Sequence, residues 1–196
     1  MLEYRQRRRP VGATVSHRLE QDALVVDSGR RLDRVRLSAV RQARLSYAPQ
    51  NLTNDGFKAE LTLADGKTLS FTNLDWQGLA RVEPRNDAYR AFVAALLAAA
   101  ARAAPGCRFV AGRSALAWAL SAVLGTLVGG GALLAALAFW RAGVTAAAAV
   151  ALLIALPLAW LQWRMVSRNR PRAFDPAFPP PDVLPPPDRG AEATPA

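Results

Sequence analysis

The sequence contains very little cysteine or histidine, the residues that most often build metal centres and many catalytic sites. Cys107 and His17 are the only ones of their kind among 196 residues. A single Cys excludes an internal disulfide, which suits a cytoplasmic domain. No Cys/His cluster could hold zinc, and no Ser/His/Asp or Cys/His set can be assembled by spacing. We therefore expect a protein that is not an enzyme and holds no metal or cofactor.

The sequence also lacks a phosphate-binding loop and a signal peptide. No G-x-x-x-x-G-K-[ST] pattern occurs, and the run of glycines at 129–131 lies in an apolar stretch, where no phosphate would bind. Near the N-terminus, His17 and Arg18 interrupt what would have to be an apolar segment. We therefore expect an internal apolar segment to direct membrane insertion.

Charge is absent from two long stretches. No charged residue lies between Arg113 and Arg141, or between Arg141 and Arg164. At about 1.5 Å per residue, each stretch is long enough as a helix to cross a hydrocarbon core of about 30 Å. The rest of the chain is too short to bury two such helices beside its own core. The prediction is a transmembrane hairpin: residues 114–139, a short non-cytoplasmic turn at 140–144, and residues 145–163.

The residues around and within the hairpin predict its orientation and packing. Several Arg residues precede and follow it, whereas the turn has only Arg141, so the positive-inside rule predicts two cytoplasmic termini. Gly125 and Gly129 form a G-x-x-x-G pair, which favours a helix–helix contact within the hairpin or between protomers of a homo-oligomer. The alternative is that these glycines only reflect a chain rich in Ala and Gly. No ionisable residue lies inside either span, which argues against a proton or ion pathway.

The N-terminal residues 1–12 form a basic leader in a chain of net charge +10. Its cations are Arg5, Arg7, Arg8 and Arg9. One interpretation is attraction to an anionic membrane surface, at about 1 kcal/mol per Arg near that surface. The other is a disordered, solvated tail.

Residues 13–112 alternate in the manner of a sheet and then of a helix. Several short strands between residues 13 and 72 show a period of two, most clearly residues 57–63, and predict a bent antiparallel sheet. Arg34 and Arg36 should share one solvated face, which could lie against anionic lipid. Residues 89–97 then repeat at helical spacing, with Asn86 or Asp87 as a possible cap and Pro105 after the end. The fold class is therefore α+β, followed by the hairpin.

The remaining residues, 164–196, form a Pro-rich cytoplasmic tail without periodicity, which we expect to be extended and mostly disordered. Its first half could alternatively dock along the domain or on a partner.

The order of strands followed by one amphipathic helix is similar to a pleckstrin-homology-like (PH-like) domain. The segments that carry the resemblance are residues 24–26, 37–45, 59–63, 69–71 and 89–97. More narrowly, the chain resembles uncharacterised bacterial proteins that join such a domain to a transmembrane hairpin, which implies the bacterial inner membrane. Phosphoinositide-binding members use Lys and Arg in the loop after the first strand. Here that loop, near Gln21 and Asp22, has no basic residue, so the resemblance does not imply inositol-phosphate recognition.

Two functions follow as expectations. The first is a cytoplasm-facing, membrane-anchored adaptor that binds a protein partner or anionic lipid headgroups through its PH-like domain; no nucleic-acid partner is expected. The alternative is a small structural subunit of a larger membrane complex, in which the hairpin makes the specific contacts.

Overall fold

A computed structural model describes residues 2–7, 9–49, 55–78 and 81–188 of the chain. The architecture is α+β, with sheets followed by three helices. The chain forms two compact units. One combines Met1–Gly112 with Arg172–Ala196, and the other is Arg113–Pro171. The first unit is thus built from segments on both sides of the two apolar helices.

The first unit begins with a four-stranded antiparallel sheet of order β1-β2-β3-β4. Its strands are β1 (Leu2–Gln6), β2 (Val15–Leu19), β3 (Ala23–Asp27) and β4 (Leu32–Arg36). The interpretation of the leader as a disordered tail is wrong for β1, because this segment is a strand in which Tyr4 and Gln6 are buried. Leu2, Tyr4 and Gln6 share one face of the strand, opposite Glu3 and Arg5. The high Arg content hides this alternation in the sequence.

The second sheet has the order β11-β10-β5-β6-β7. Its strands are β5 (Val40–Tyr47), β6 (Phe57–Leu63), β7 (Thr68–Thr72), β10 (Arg108–Ala111) and β11 (Arg172–Ala173). The first three form an antiparallel meander, and the predicted alternation of residues 57–63 is confirmed by their strictly alternating burial. The tight turn after β6 contains Gly66, whose φ of 82° suits glycine. β10 then adds parallel to β5, and β11 adds antiparallel to β10.

Helix α1 (Asn86–Ala103) buries the predicted apolar face, including Tyr89 and Phe92, in the core of the first unit. The stretch before it forms a short hairpin of β8 (Leu74–Trp76) and β9 (Val82–Pro84). The predicted cap is wrong, since the N-cap position is Arg85 and its side chain makes no capping hydrogen bond. The Asn86 side chain instead accepts a hydrogen bond from Asn73 Nδ2 at 2.8 Å.

The second unit consists of α2 (Ala115–Arg141) and α3 (Thr145–Arg168), packed against each other. Both are long and apolar enough to cross a membrane. Near the open end of the pair, the Trp118 indole N–H donates to the Val166 carbonyl at 2.8 Å. α3 continues past residue 163, the predicted end of the second span, and remains helical through Pro157.

The expected disordered tail is ordered as far as the structure describes it, up to residue 188. After β11, a 3₁₀ turn at Pro181–Val183 packs on β5, and Val183 is fully buried. Arg90 of α1 donates to the Pro185 carbonyl at 2.7 Å. The backbone N–H groups of Asp87 and Asp188 each donate to the other residue's carboxylate, at 3.2 and 3.1 Å. The tail therefore completes the first unit.

Candidate functional site

Within the described residues, no group of three or more His, Cys, Asp or Glu side chains could hold a metal ion. His17 is 1% exposed and lies in an aromatic cluster, with its ring centroid 5.4 Å from that of Phe71. Cys107 is half-buried, and burial raises the pKa of its thiol, so the thiolate is disfavoured. Both residues are placed as parts of the packing.

Two of the predicted lipid-contact residues, Arg5 and Arg7, line the same polar cavity of about 290 Å³. Strand β1 carries Arg5, and the backbone N–H of Arg7 donates to the Asp75 carboxylate at 2.7 Å. We call this space the arginine cavity. Its lining residues are Arg5, Arg7, Thr14, Asp75, Trp76, Gln77 and Arg85.

Asp75 organises the arginine cavity. Its side chain is only 7% exposed and also accepts from Arg85 at 2.8 Å and from Gln77 at 2.9 Å. Three Arg residues and one carboxylate, that of Asp75, therefore line the cavity. Arg5 bonds outside this group to Glu3 at 2.7 Å, and that hydrogen bond lowers the pKa of the Glu3 carboxyl. Arg5 and Arg85 are thus each paired with a carboxylate, and no described residue forms an ion pair with Arg7. The positive charge of Arg7 favours an anionic group such as a phosphate or a carboxylate.

The placement of β1 changes which loop follows the first strand. It is residues 7–14, with Arg7, Arg8 and Arg9, whereas the loop at Gln21 and Asp22 follows the second strand. The sequence-based statement that the first loop has no basic residue is therefore wrong. Arg9 is exposed, and Arg8 lies outside the described residues.

The other predicted lipid contacts, Arg34 and Arg36, are exposed on the outer face of the first sheet, as alternation predicted. That face also carries acids. Arg34 pairs with Glu20 at 2.8 Å, and Arg18 pairs with Asp27 at 3.8 Å. The outward-facing side chains of the paired strands β1 to β4 thus include both positive and negative charges. A face of this kind is a weak electrostatic match for a flat anionic surface.

A groove of about 720 Å³ runs beside β4. One wall is β4 and the 3₁₀ turn Leu37–Ala39, and the other is the β6–β7 turn. We call it the β4 groove. Its floor includes the half-buried Val35 and Leu69, and its rim carries Arg34, Arg36 and Lys67. Arg5 and Arg7 are not among its lining residues, so the six predicted cations do not form one site.

The two predicted helix-packing glycines have different surroundings. A Cβ atom added to Gly125 would lie 2.2 Å from side-chain atoms of Gln162, whereas one added to Gly129 would meet nothing within 4 Å. The Gln162 amide donates to the Ser121 carbonyl across the helix pair. Gly125 therefore serves the contact between α2 and α3. Both glycines line an open groove of about 410 Å³ on the second unit, and only at Gly129 is there open space for a Cβ atom.

The sequence did not indicate several residues that the structure places in these sites. Arg85 and Asp75 lie far from Arg5 along the chain, and only the folded β8–β9 hairpin brings them to β1. Lys67 directly follows the Asp65-Gly66 pair, and that pair is a sequence signal for a tight turn. Gln162, an amide within a long apolar helix, was the available signal for an interhelical hydrogen bond.

No protein-family model, curated protein or solved structure matches this chain.

Proposed function

We propose that this protein is a non-catalytic adaptor of the bacterial inner membrane, anchored by its helical hairpin, which binds an anionic lipid headgroup or a protein partner through a PH-like domain. The observation that carries the proposal is the arginine cavity, which Arg5, Arg7 and Arg85 line together with the buried Asp75 carboxylate. Such a site suits a phosphate or carboxylate group that enters from outside.

The strand order supports the PH-like assignment. A four-stranded antiparallel sheet precedes a three-stranded meander and then α1. The loop after the first strand is basic, as the resemblance implies for members that bind phosphoinositides. β10 and β11 are additions to this plan.

The pairing of β10 with β11 supports two termini on one side of the membrane. Ala111, just before the apolar helices, pairs with Arg172, just after them. Strands that share hydrogen bonds lie in the same compartment, so the chain between them would cross the membrane an even number of times. The Arg residues around the hairpin then favour the cytoplasm for both ends. The Arg164 guanidinium, 4.6 Å from the Trp160 ring centroid, suits the boundary between apolar and aqueous phases.

Vesicle flotation of the soluble domain tests the lipid half of the proposal. Because Ala111 and Arg172 are neighbours on antiparallel strands, an Asn-Gly turn can replace residues 112–171 and leave both parts of the domain connected. We expect this spliced domain to float with vesicles that contain anionic phospholipid, and to do so less as salt rises.

A matched pair of variants locates the contact. Arg5→Ala with Arg9→Ala should reduce flotation, because these cations lie at the arginine cavity and in the adjoining loop. Arg41→Ala with Arg108→Ala removes the same charge from exposed positions in the second sheet and should have little effect. Equal losses would show only a net-charge effect. If the spliced domain does not float even at low salt, lipid binding is refuted and protein binding remains as the proposed function.

The alternative function, a subunit whose hairpin makes the specific contacts, is favoured by Gly129. This glycine faces an open groove lined by Ala132, Ala155 and other small or apolar residues. A further transmembrane helix could pack closely there. If Gly129→Leu releases partners from the detergent-solubilised chain while removal of the soluble domain does not, this alternative replaces the adaptor.

A further inference from the structure

Strand β4 forms one edge of the first sheet. Among the described residues it pairs with β3 alone, and no strand covers its other side. Exposed edges present a row of backbone donors and acceptors that can pair with another chain.

The direction of the β4 backbone groups follows from two hydrogen bonds. The Leu37 N–H donates to the Asp22 carbonyl at 2.9 Å, and the Arg31 carbonyl accepts from the Ser28 N–H at 3.1 Å. Both bonds lie on the β3 side. Because backbone groups alternate along a strand, the N–H and C=O groups of Leu32 and Arg34 point away from β3. They point to the side on which an added strand would lie.

The β4 groove lies along this edge and is apolar at its floor. Val35 and Leu69 are half-buried there, and Leu63 is 7% exposed. A polar lipid headgroup does not gain from contact with an apolar floor, and it does not pair with the backbone of a strand. An extended peptide uses both, because its side chains alternate between the two faces of the sheet it joins.

The charges of the groove indicate what kind of peptide fits. Its lining cations are Arg31, Arg34, Arg36 and Lys67, and its lining anions are Asp33 and Asp65. Both anions are already paired, Asp33 with Arg31 at 2.6 Å and Asp65 with Lys67 at 3.2 Å. No described residue forms an ion pair with Arg36. Arg34 is paired with Glu20 at 2.8 Å, so Arg36 carries the uncompensated positive charge of the groove and favours an acidic side chain beside it.

We propose that the β4 groove binds an acidic, extended segment of a partner protein, which pairs with β4 as a fifth strand of the first sheet. The segment alternates acidic residues, which lie beside Arg34 and Arg36 on the outer face, with apolar residues above Val35 and Leu69. This inference rests on the adaptor function proposed above and names the chemistry of its protein partner. The site is separate from the arginine cavity.

The test uses the full chain in nanodiscs of zwitterionic lipid and a fluorescent, end-blocked peptide of alternating Glu and Val. Fluorescence anisotropy should show saturable binding that weakens as salt rises. A peptide with the same side chains but N-methyl groups on alternate residues, in the two possible registers, keeps the charge and removes backbone donors. We expect at least one N-methylated register to bind about tenfold more weakly, as the loss of paired hydrogen bonds requires.

Variants of one residue separate charge from backbone pairing. Arg34→Ala should weaken binding by up to about fivefold, the range of a cross-strand charge pair. Arg34→Pro removes the outward N–H as well, without a loss of ladder bonds to β3, and should weaken binding by about a further tenfold. Arg41→Ala, an exposed Arg on β5, is the charge control and should bind as the unchanged chain does.

Each result decides the inference. Absence of binding, equal binding of both N-methylated peptides and the parent, or equal weakening by Arg41→Ala and Arg34→Ala would overturn it. If Arg34→Pro lowers the thermal midpoint of the full chain, the peptide comparison alone decides. Flotation of the spliced domain is a separate measurement. The proposal for the β4 groove can therefore be refuted while the proposal for the arginine cavity is supported.

Discussion

The tail offers a quantitative test of how the soluble domain is built. Val183 has no exposed surface, and it lies in the 3₁₀ turn that packs on β5. Phe178 belongs to the same segment but is 80% exposed. Val183→Ala should therefore loosen the tail, whereas Phe178→Ala, a larger truncation, should leave it in place.

The expected magnitude follows from burial. Val183→Ala removes two buried methyl-sized groups at about 0.8 kcal/mol each, and the cavity left behind adds to this, for a cost of about 2 kcal/mol. A cost of that size shifts the equilibrium between docked and released tail by roughly 30-fold. If release of the tail requires unfolding of the whole domain, the same cost appears as a lower free energy of unfolding.

Hydrogen exchange of the full chain in nanodiscs measures this shift. The Phe174 N–H, which donates to the Phe109 carbonyl at 3.1 Å, reports on docking after β11. Its exchange should be about 30-fold faster in Val183→Ala and unchanged in Phe178→Ala. Equal exchange in the two variants, or unprotected exchange of the original chain, would refute the packing argument.

Further predictions concern buried hydroxyls and the hairpin. Burial raises the pKa of Tyr4 and Tyr89 in the folded domain, so stability is complete below about pH 10, where the unfolded phenols are neutral, and falls as pH rises above it. At neutral pH, Tyr4→Phe should cost about 1 kcal/mol, because its hydroxyl donates to the Thr72 carbonyl at 2.6 Å, whereas Tyr89→Phe should cost almost nothing, because its hydroxyl has no hydrogen-bond partner among the described residues. In detergent, Gly125→Leu should lower the thermal midpoint of the full chain more than Gly129→Leu does, because a Cβ atom at 125 would displace the Gln162 side chain and its hydrogen bond to Ser121, whereas one at 129 meets nothing within 4 Å.

Controls for these predictions use the same spliced domain and full chain. Denaturant unfolding of the spliced domain at neutral and alkaline pH measures the tyrosine effects, and Tyr89→Phe should reduce the alkaline loss. A stability that is flat above pH 10 would contradict the burial of the phenols. Equal thermal midpoints for the two glycine variants would contradict the close approach of Gln162 to Gly125.

The elements that could be predicted from the sequence are those whose own residues show a period. Residues 57–63 alternate without interruption because β6 has one core face and one wet face. The apolar face of α1 repeats at helical spacing for the same reason. The two apolar helices follow from the absence of charge. In each case the information is local, so a short window of sequence is sufficient.

The elements that could not be predicted depend on distant partners. β11 is only two residues long, and it is a strand because its residues pair with the edge strand β10. The 3₁₀ turn with Val183 has no periodicity and is ordered by the surface it covers. The arginine cavity places Arg5 beside Asp75 and Arg85, an arrangement that only the completed fold produces. β1 was missed for another reason, since its charged outer residues conceal the alternation.

The position of β11 has a consequence for how the protein is made. During synthesis, β10 leaves the ribosome before either apolar helix, and its partner strand follows only after both. The first sheet and α1 can form early, but the surface that receives Val183 stays uncovered while the hairpin is translated and inserted. In the membrane-anchored function proposed above, domain completion would be tied to membrane insertion: a chain whose hairpin fails to return both ends to the same side could not close its own sheet. The open edge of β10 would then distinguish a misinserted chain from a correctly inserted one.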